Sequence, residues 1–145
     1  MVENSAFQAR ASIEGRAAQD LAARVITGCG FTIVQRNQVR ADLGVTVNFV
    51  TRSRSGEEWF FDVSGAFQSE RAGLIRTDTV WKTLGRCSVL TANDVAPIVL
   101  LTTNLPQPGS RGDRALRSMK TSSFYDVIEA TSPRDRARMK SYSED

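Results

Sequence analysis

Apolar residues recur at four-residue steps early in the chain: Ile13, Ala17, Leu21, Val25 and Cys29, with Ala18, Ala22 and Ile26 widening the stripe. That spacing predicts a helix over Phe7–Gly30, stopped at Thr27-Gly-Cys-Gly30, where glycine adopts a left-handed backbone without a side-chain clash. The period then falls to two. Phe31–Arg36 alternates as a short strand, and Asn37–Leu43 reads as a turn. Val45–Thr51 is dominated by β-branched and aromatic residues, with Val45, Val47 and Phe49 expected on one face. Ser53-Arg-Ser-Gly56 signals a hairpin loop, and Glu58–Val63 is the partner strand, closing at Ser64-Gly65. Its near-continuous apolar run suits a central strand covered on both sides.

Residues Gly65–Arg76 show no clear period and read as a loop or lid. Thr77–Leu90 is a second helix, with Val80, Leu84 and Cys87 as its apolar stripe and Trp81 at the margin. Pro97–Thr102 (PIVLLT) is a buried strand, Thr103–Gly109 a turn, Ser110–Met119 a short helix and Phe124–Ala130 a last strand. Pro133–Asp145 reads as a charged tail, one helical turn and then disorder. The order is helix, three strands, helix, strand, helix, strand. A hairpin followed by a helical crossover gives an α/β fold: a mixed central sheet flanked by helices. Residues 1–132 make one domain, and 133–145 the tail.

Composition narrows the chemistry. The chain of 145 residues has no histidine, which removes histidine triads, imidazole acid–base catalysis and histidine metal ligands together. Its two cysteines, Cys29 and Cys87, fall in apolar contexts and read as buried thiols. Any catalysis therefore rests on carboxylates, lysine, hydroxyls or a hard oxygen-seeking metal such as magnesium. Net charge is +3, and sixteen of the nineteen basic residues are arginine, the better fork for phosphate. No stretch approaches the roughly eighteen apolar residues of a membrane span, and no signal peptide is seen, so the expected home is cytoplasmic.

The segment GVTVNFVTRSRSGEEWFFDVSG places Asn48 in one strand and Asp62 and Ser64 in the next, and a helix carrying Lys82 follows. An acid inside an apolar strand is costly unless it is paired or binds a cation. With the opening GRAAQDLAARVITGCGFTIVQRN, this arrangement resembles the PD-(D/E)XK, or restriction-endonuclease-like, nucleases, in particular their Mrr-like and Holliday-junction-resolvase-like members. The resemblance covers Ile13–Thr102 and implies an α-β-β-β-α-β core. It also implies a magnesium- or manganese-dependent endonuclease that hydrolyses DNA phosphodiesters in restriction or repair.

Carried over residue by residue, the helix acid of that family falls on Gln19, with Glu14 and Asp20 as possible substitutes. The strand aspartate falls on Asn48, and the acid of the acid-x-lysine pair falls on Asp62. The lysine falls on Ser64, with Lys82 as a candidate migrated from the strand to the helix and Gln68 and Glu70 as spare polar groups. Asp62 and Asn48 would then be the metal ligands, the asparagine a weakened one. Arg71, Arg76, Arg111, Arg114 and Arg117 would line a DNA-binding face. The expected partners are DNA and a second copy of the chain, or a larger complex. The alternative reading is a catalytically inactive DNA-binding module of a nuclease or repair complex.

Overall fold

The computed structural model of the chain describes residues 17–64, 77–93 and 96–144, together with Leu74. The elements run α1 (residues 17–28), β1 (Thr32–Arg40), β2 (Val45–Arg52), β3 (Glu58–Ser64), α2 (Thr77–Ala92), β4 (Ile98–Thr102), α3 (Arg111–Met119), β5 (Asp126–Glu129) and α4 (Pro133–Glu144). The five strands form one sheet in the order β1-β2-β3-β4-β5. β1, β2 and β3 are antiparallel neighbours, whereas β3, β4 and β5 are parallel. None of the described helices is long and apolar enough to cross a membrane.

The expected α/β architecture, a mixed sheet flanked by helices, is therefore present. Its two faces carry separate cores. Phe49, Phe61, Val99, Leu101 and Ile128 pack with α1 and with Met139 of α4. Phe60, Ile98 and Leu100 pack with Val80, Leu84 and Cys87 of α2 and Leu116 of α3. Alternation along β3 and β4 thus sends successive apolar side chains to opposite cores, which is why both strands read as continuous apolar runs.

Several local expectations are corrected. β1 does not stop at Arg36 but continues to Arg40, leaving a turn closed by Gly44 at φ 72°. Asn37 takes φ 52°, a left-handed conformation that asparagine tolerates better than most residues. Asn37 stands opposite Asn48, between the pairs Arg36↔Phe49 and Gln38↔Val47. The hairpin exchanges faces here: Val45 and Val47 pack with the α2 core and Phe49 with the α1 core, so the three do not share a face. In α1 the buried line is Ala18, Ala22, Ala23, Ile26 and Cys29, and Leu21 is partly exposed. Trp81 is 60% exposed and takes no part in the apolar stripe of α2. The part of the first helix expected before residue 17, and the loop expected over 65–76 apart from Leu74, lie outside the described residues.

The largest correction concerns the expected tail. Pro133–Glu144 is a twelve-residue helix. Pro133 has the fixed φ suited to a first helical position, and Ser132 Oγ accepts from the Asp135 N–H at 3.2 Å as its cap. Met139 is fully buried, and Tyr142 stacks on Trp59 with centroids 5.7 Å apart and planes at 4°. At its far end the Ser143 hydroxyl donates to the Cys29 carbonyl at 2.7 Å. Gly30, at φ 101°, makes this approach possible, because a Cβ there would lie 2.6 Å from Ser143 Oγ.

If α4 is part of the core, Met139→Ala lowers the unfolding free energy by about 2–5 kcal/mol. Urea unfolding followed by tryptophan fluorescence measures this, and an unchanged midpoint would show that the segment is a loose tail after all.

Candidate functional site

β3 brings Asp62 to the face covered by α2, where it is 4% exposed. α2 answers it with Arg86, a residue the sequence reading did not single out. The Arg86 guanidinium grips both carboxylate oxygens: Nε donates to Oδ2 at 2.9 Å and Nη2 to Oδ1 at 3.0 Å, with Nη2 also donating to Thr83 Oγ1 at 3.2 Å. Such a bidentate fork is among the strongest side-chain hydrogen bonds. The bond to Asp62 raises the Arg86 pKa further, against the effect of burial, so the guanidinium keeps its charge. Cys87, the next residue, is a buried thiol whose pKa is pushed up by burial and then by the Asp62 charge.

Asn48 is committed differently. Its Oδ1 accepts from the Val63 N–H at 2.9 Å. The β2–β3 pairing ends at Phe49↔Phe61, so this amide supplies a ladder acceptor one step beyond the last backbone pair. Ser64 ends β3 opposite Thr102 of β4. Lys82 is exposed on α2, one turn before Arg86. Gln19 is not drawn to this site: it exchanges two hydrogen bonds with Asn37, at 2.8 and 3.1 Å, tying α1 to β1. Asp20 pairs with Arg36 at 3.2 Å on the surface. Glu14, Gln68, Glu70, Arg71 and Arg76 lie outside the described residues. Arg111 and Arg114 are exposed on α3, and Arg117 bonds Asp113 of its own helix at 3.2 Å.

The two described candidates for magnesium ligation, Asp62 and Asn48, both already have hydrogen-bond partners. Magnesium favours one or two carboxylate oxygens and completes a near-octahedral array with water. Here both oxygens of Asp62 accept from a guanidinium, and the Asn48 carbonyl accepts from the backbone. Among the described residues no group of three acidic or cysteine side chains could hold a metal ion.

A second buried carboxylate, this one not singled out in the sequence, organises the β5 edge. Asp126 is 2% exposed and accepts from Arg138 Nε and from the Tyr142 hydroxyl, each at 2.7 Å, with Lys120 Nζ at 3.5 Å. Burial opposes its ionisation, but the bonds from Arg138, Tyr142 and the Val127 N–H outweigh that, and its pKa lies below the usual aspartate range. The Tyr142 hydroxyl is pushed up to about 12, first by burial and then by that carboxylate. The available signal for both sites was the same: an acid between apolar residues, in FFDVS and in FYDVI. The sequence did not name the partners, because Arg86 and Arg138 are one arginine among many on polar helix faces.

Two outcomes follow. Arg86→Ala removes the bidentate guanidinium from buried Asp62 and lowers stability by about 2–3 kcal/mol, below the cost for a fully dry pair because Arg86 is one-third exposed. Asp62→Ala in the same background costs less than it does alone, as a double-mutant cycle in urea checks. Asp126, with its folded pKa below the unfolded value of about 3.9, contributes stability that is complete above that value and lost as pH falls through the folded pKa. Acid titration of the urea midpoint therefore shows a fall that Asp126→Asn flattens, and identical profiles would rule the contribution out. Neither protein-family models, nor curated proteins, nor solved structures match this chain, so its functional reading stands on this geometry.

Proposed function

We propose that this chain is a nucleic-acid-binding module built on a restriction-endonuclease-like core and lacking phosphodiesterase activity of its own. The observation that carries the reading is the Arg86 fork on Asp62. In the resembled nucleases a buried acid holds a divalent cation. Here α2 supplies a covalently attached cation to the matching acid, and the carboxylate is neutralised without an ion from solution. A hydrated magnesium ion would have to displace a bidentate, partly buried guanidinium and would find a neutral amide as its second ligand, which disfavours binding.

Two further features support the module over the hydrolase. The element order α1-β1-β2-β3-α2-β4, with an antiparallel hairpin followed by a parallel crossover, agrees with the core that the resemblance implies. The net charge of +3 and the arginine excess suit a polyanionic partner. Such a module would deliver or hold DNA for a larger nuclease or repair complex.

Supercoiled-plasmid nicking in magnesium or manganese, with wild type, Asp62→Ala and Asn48→Asp, tests the reading. The expected result is no metal-dependent nicking by any of the three, together with salt-dependent DNA binding by the wild type. Nicking by the wild type that disappears in Asp62→Ala would establish the metal-dependent endonuclease instead.

A further inference from the structure

The protein's basic residues differ in whether a carboxylate answers them. At the β5 edge, a pocket of about 430 Å³ between α3 and α4 is lined by the exposed Arg134 and by three cations that are already paired. Arg117 bonds Asp113 at 3.2 Å, Lys120 lies 3.5 Å from Asp126, and Arg138 holds Asp126 at 2.7 Å and Asp135 at 2.9 Å. The three paired cations and their acids largely neutralise one another, which leaves Arg134 as the pocket's unanswered charge.

The groove between α1 and α4 is different. It is open, has a volume of about 430 Å³, and is walled by Val25, Cys29 and Ala137 and flanked by Arg24, Arg136 and Lys140. None of these three cations lies within ion-pair distance of an acid among the described residues. Arg136 instead donates to the Ala130 carbonyl at 2.7 Å, which fixes its chain without cancelling its charge. The backbone N–H of Arg54 bonds the Ser143 carbonyl at 2.9 Å, which ties the β2–β3 hairpin to the end of α4 that closes on α1. The positive potential reaches the groove floor, since Arg136 and Lys140 both act to lower the pKa of the Cys29 thiol against the larger, raising effect of burial.

Charge strung along two helices, rather than focused at one point, matches a repeating anion. We propose that the α1–α4 groove is the nucleic-acid-binding surface of this protein, with Arg24, Arg136 and Lys140 on backbone phosphates and the apolar floor against the sugars. The proposal rests on the nucleic-acid reading above and moves the interface away from the arginines of α3. Contacts of this kind position a duplex without reading its sequence.

The test compares two matched double variants, both confined to exposed side chains: Arg24→Gln/Lys140→Gln in the groove and Arg111→Gln/Arg114→Gln on α3. Binding of a fluorescein-labelled duplex is followed by anisotropy between about 50 and 200 mM salt. The groove variant is expected to bind roughly tenfold more weakly at low salt, with a log–log salt slope shallower by about two, while the α3 variant follows the wild type. Wild-type binding that the α3 variant loses and the groove variant keeps overturns the proposal and leaves the nucleic-acid reading standing. A wild type that binds no duplex at low salt overturns both. Binding of polyglutamate in place of the duplex, lost in the groove variant, overturns both as well and assigns the groove to an acidic protein partner.

Discussion

Strands β3 and β4 run through the middle of a sheet with helices on both faces, and all five residues of β4 are buried. A polar group placed there has no short path to water, so it must be answered by another part of the chain. Thr51 bonds the Trp59 carbonyl at 2.9 Å, and the Thr102 hydroxyl accepts from the Asn104 N–H at 3.3 Å. Asp62 makes the strongest demand, because its partner has to be a cation carried by a covering helix. That demand fixes the rotation of α2 about its own axis. Val80, Thr83, Leu84, Cys87 and Leu90 face the sheet, and Arg86 sits at the boundary with its fork turned inward.

Asp62 and Asp126 solve one problem in two ways. Asp62 takes a guanidinium from the helix that follows its own strand and so binds one layer to the sheet. Asp126 collects groups from three directions, the end of α3, the body of α4 and its own backbone, and so joins elements that share few apolar contacts. Trp59 is the counter-example. Its Nε1 is buried with no hydrogen-bond partner among the described residues, and the ring is held by stacking on Tyr142 and edge contacts to Phe31 and Tyr125. Packing of large rings can outweigh one unmet donor of this kind.

The strands were largely legible because burial on both faces leaves unbroken apolar runs, as in PIVLLT and EWFFDV. What escaped was set by geometry that spacing does not encode. A strict two-residue period puts Val45, Val47 and Phe49 together, yet the left-handed Asn37 opposite Asn48 exchanges the faces of the hairpin midway. Charge concealed α4, since Met139 and Tyr142 are two large anchors in a segment otherwise made mostly of arginine, aspartate, lysine and serine. At the candidate site, the isolated acid of β3 was visible as an anomaly, but its meaning depended on Arg86, twenty-four residues away in sequence. One acid can be a ligand or half of an ion pair, and only its neighbour decides.

The clasp of Ser143 on the Cys29 carbonyl joins groups 114 residues apart in sequence. Loop closure over that span is entropically demanding and yields no contact until both ends exist. During synthesis, α1 and the first three strands would emerge with the α1 side of the sheet still uncovered by α4. Phe31, Trp59 and Phe61 would remain accessible to chaperones, or to a second nascent chain, until residue 143 has left the ribosome. During synthesis from the N-terminus, docking of α4 would come after the sheet's other elements have emerged. A binding groove between α1 and α4 would exist only on chains that have completed it, so unfinished molecules would not compete for the same partner.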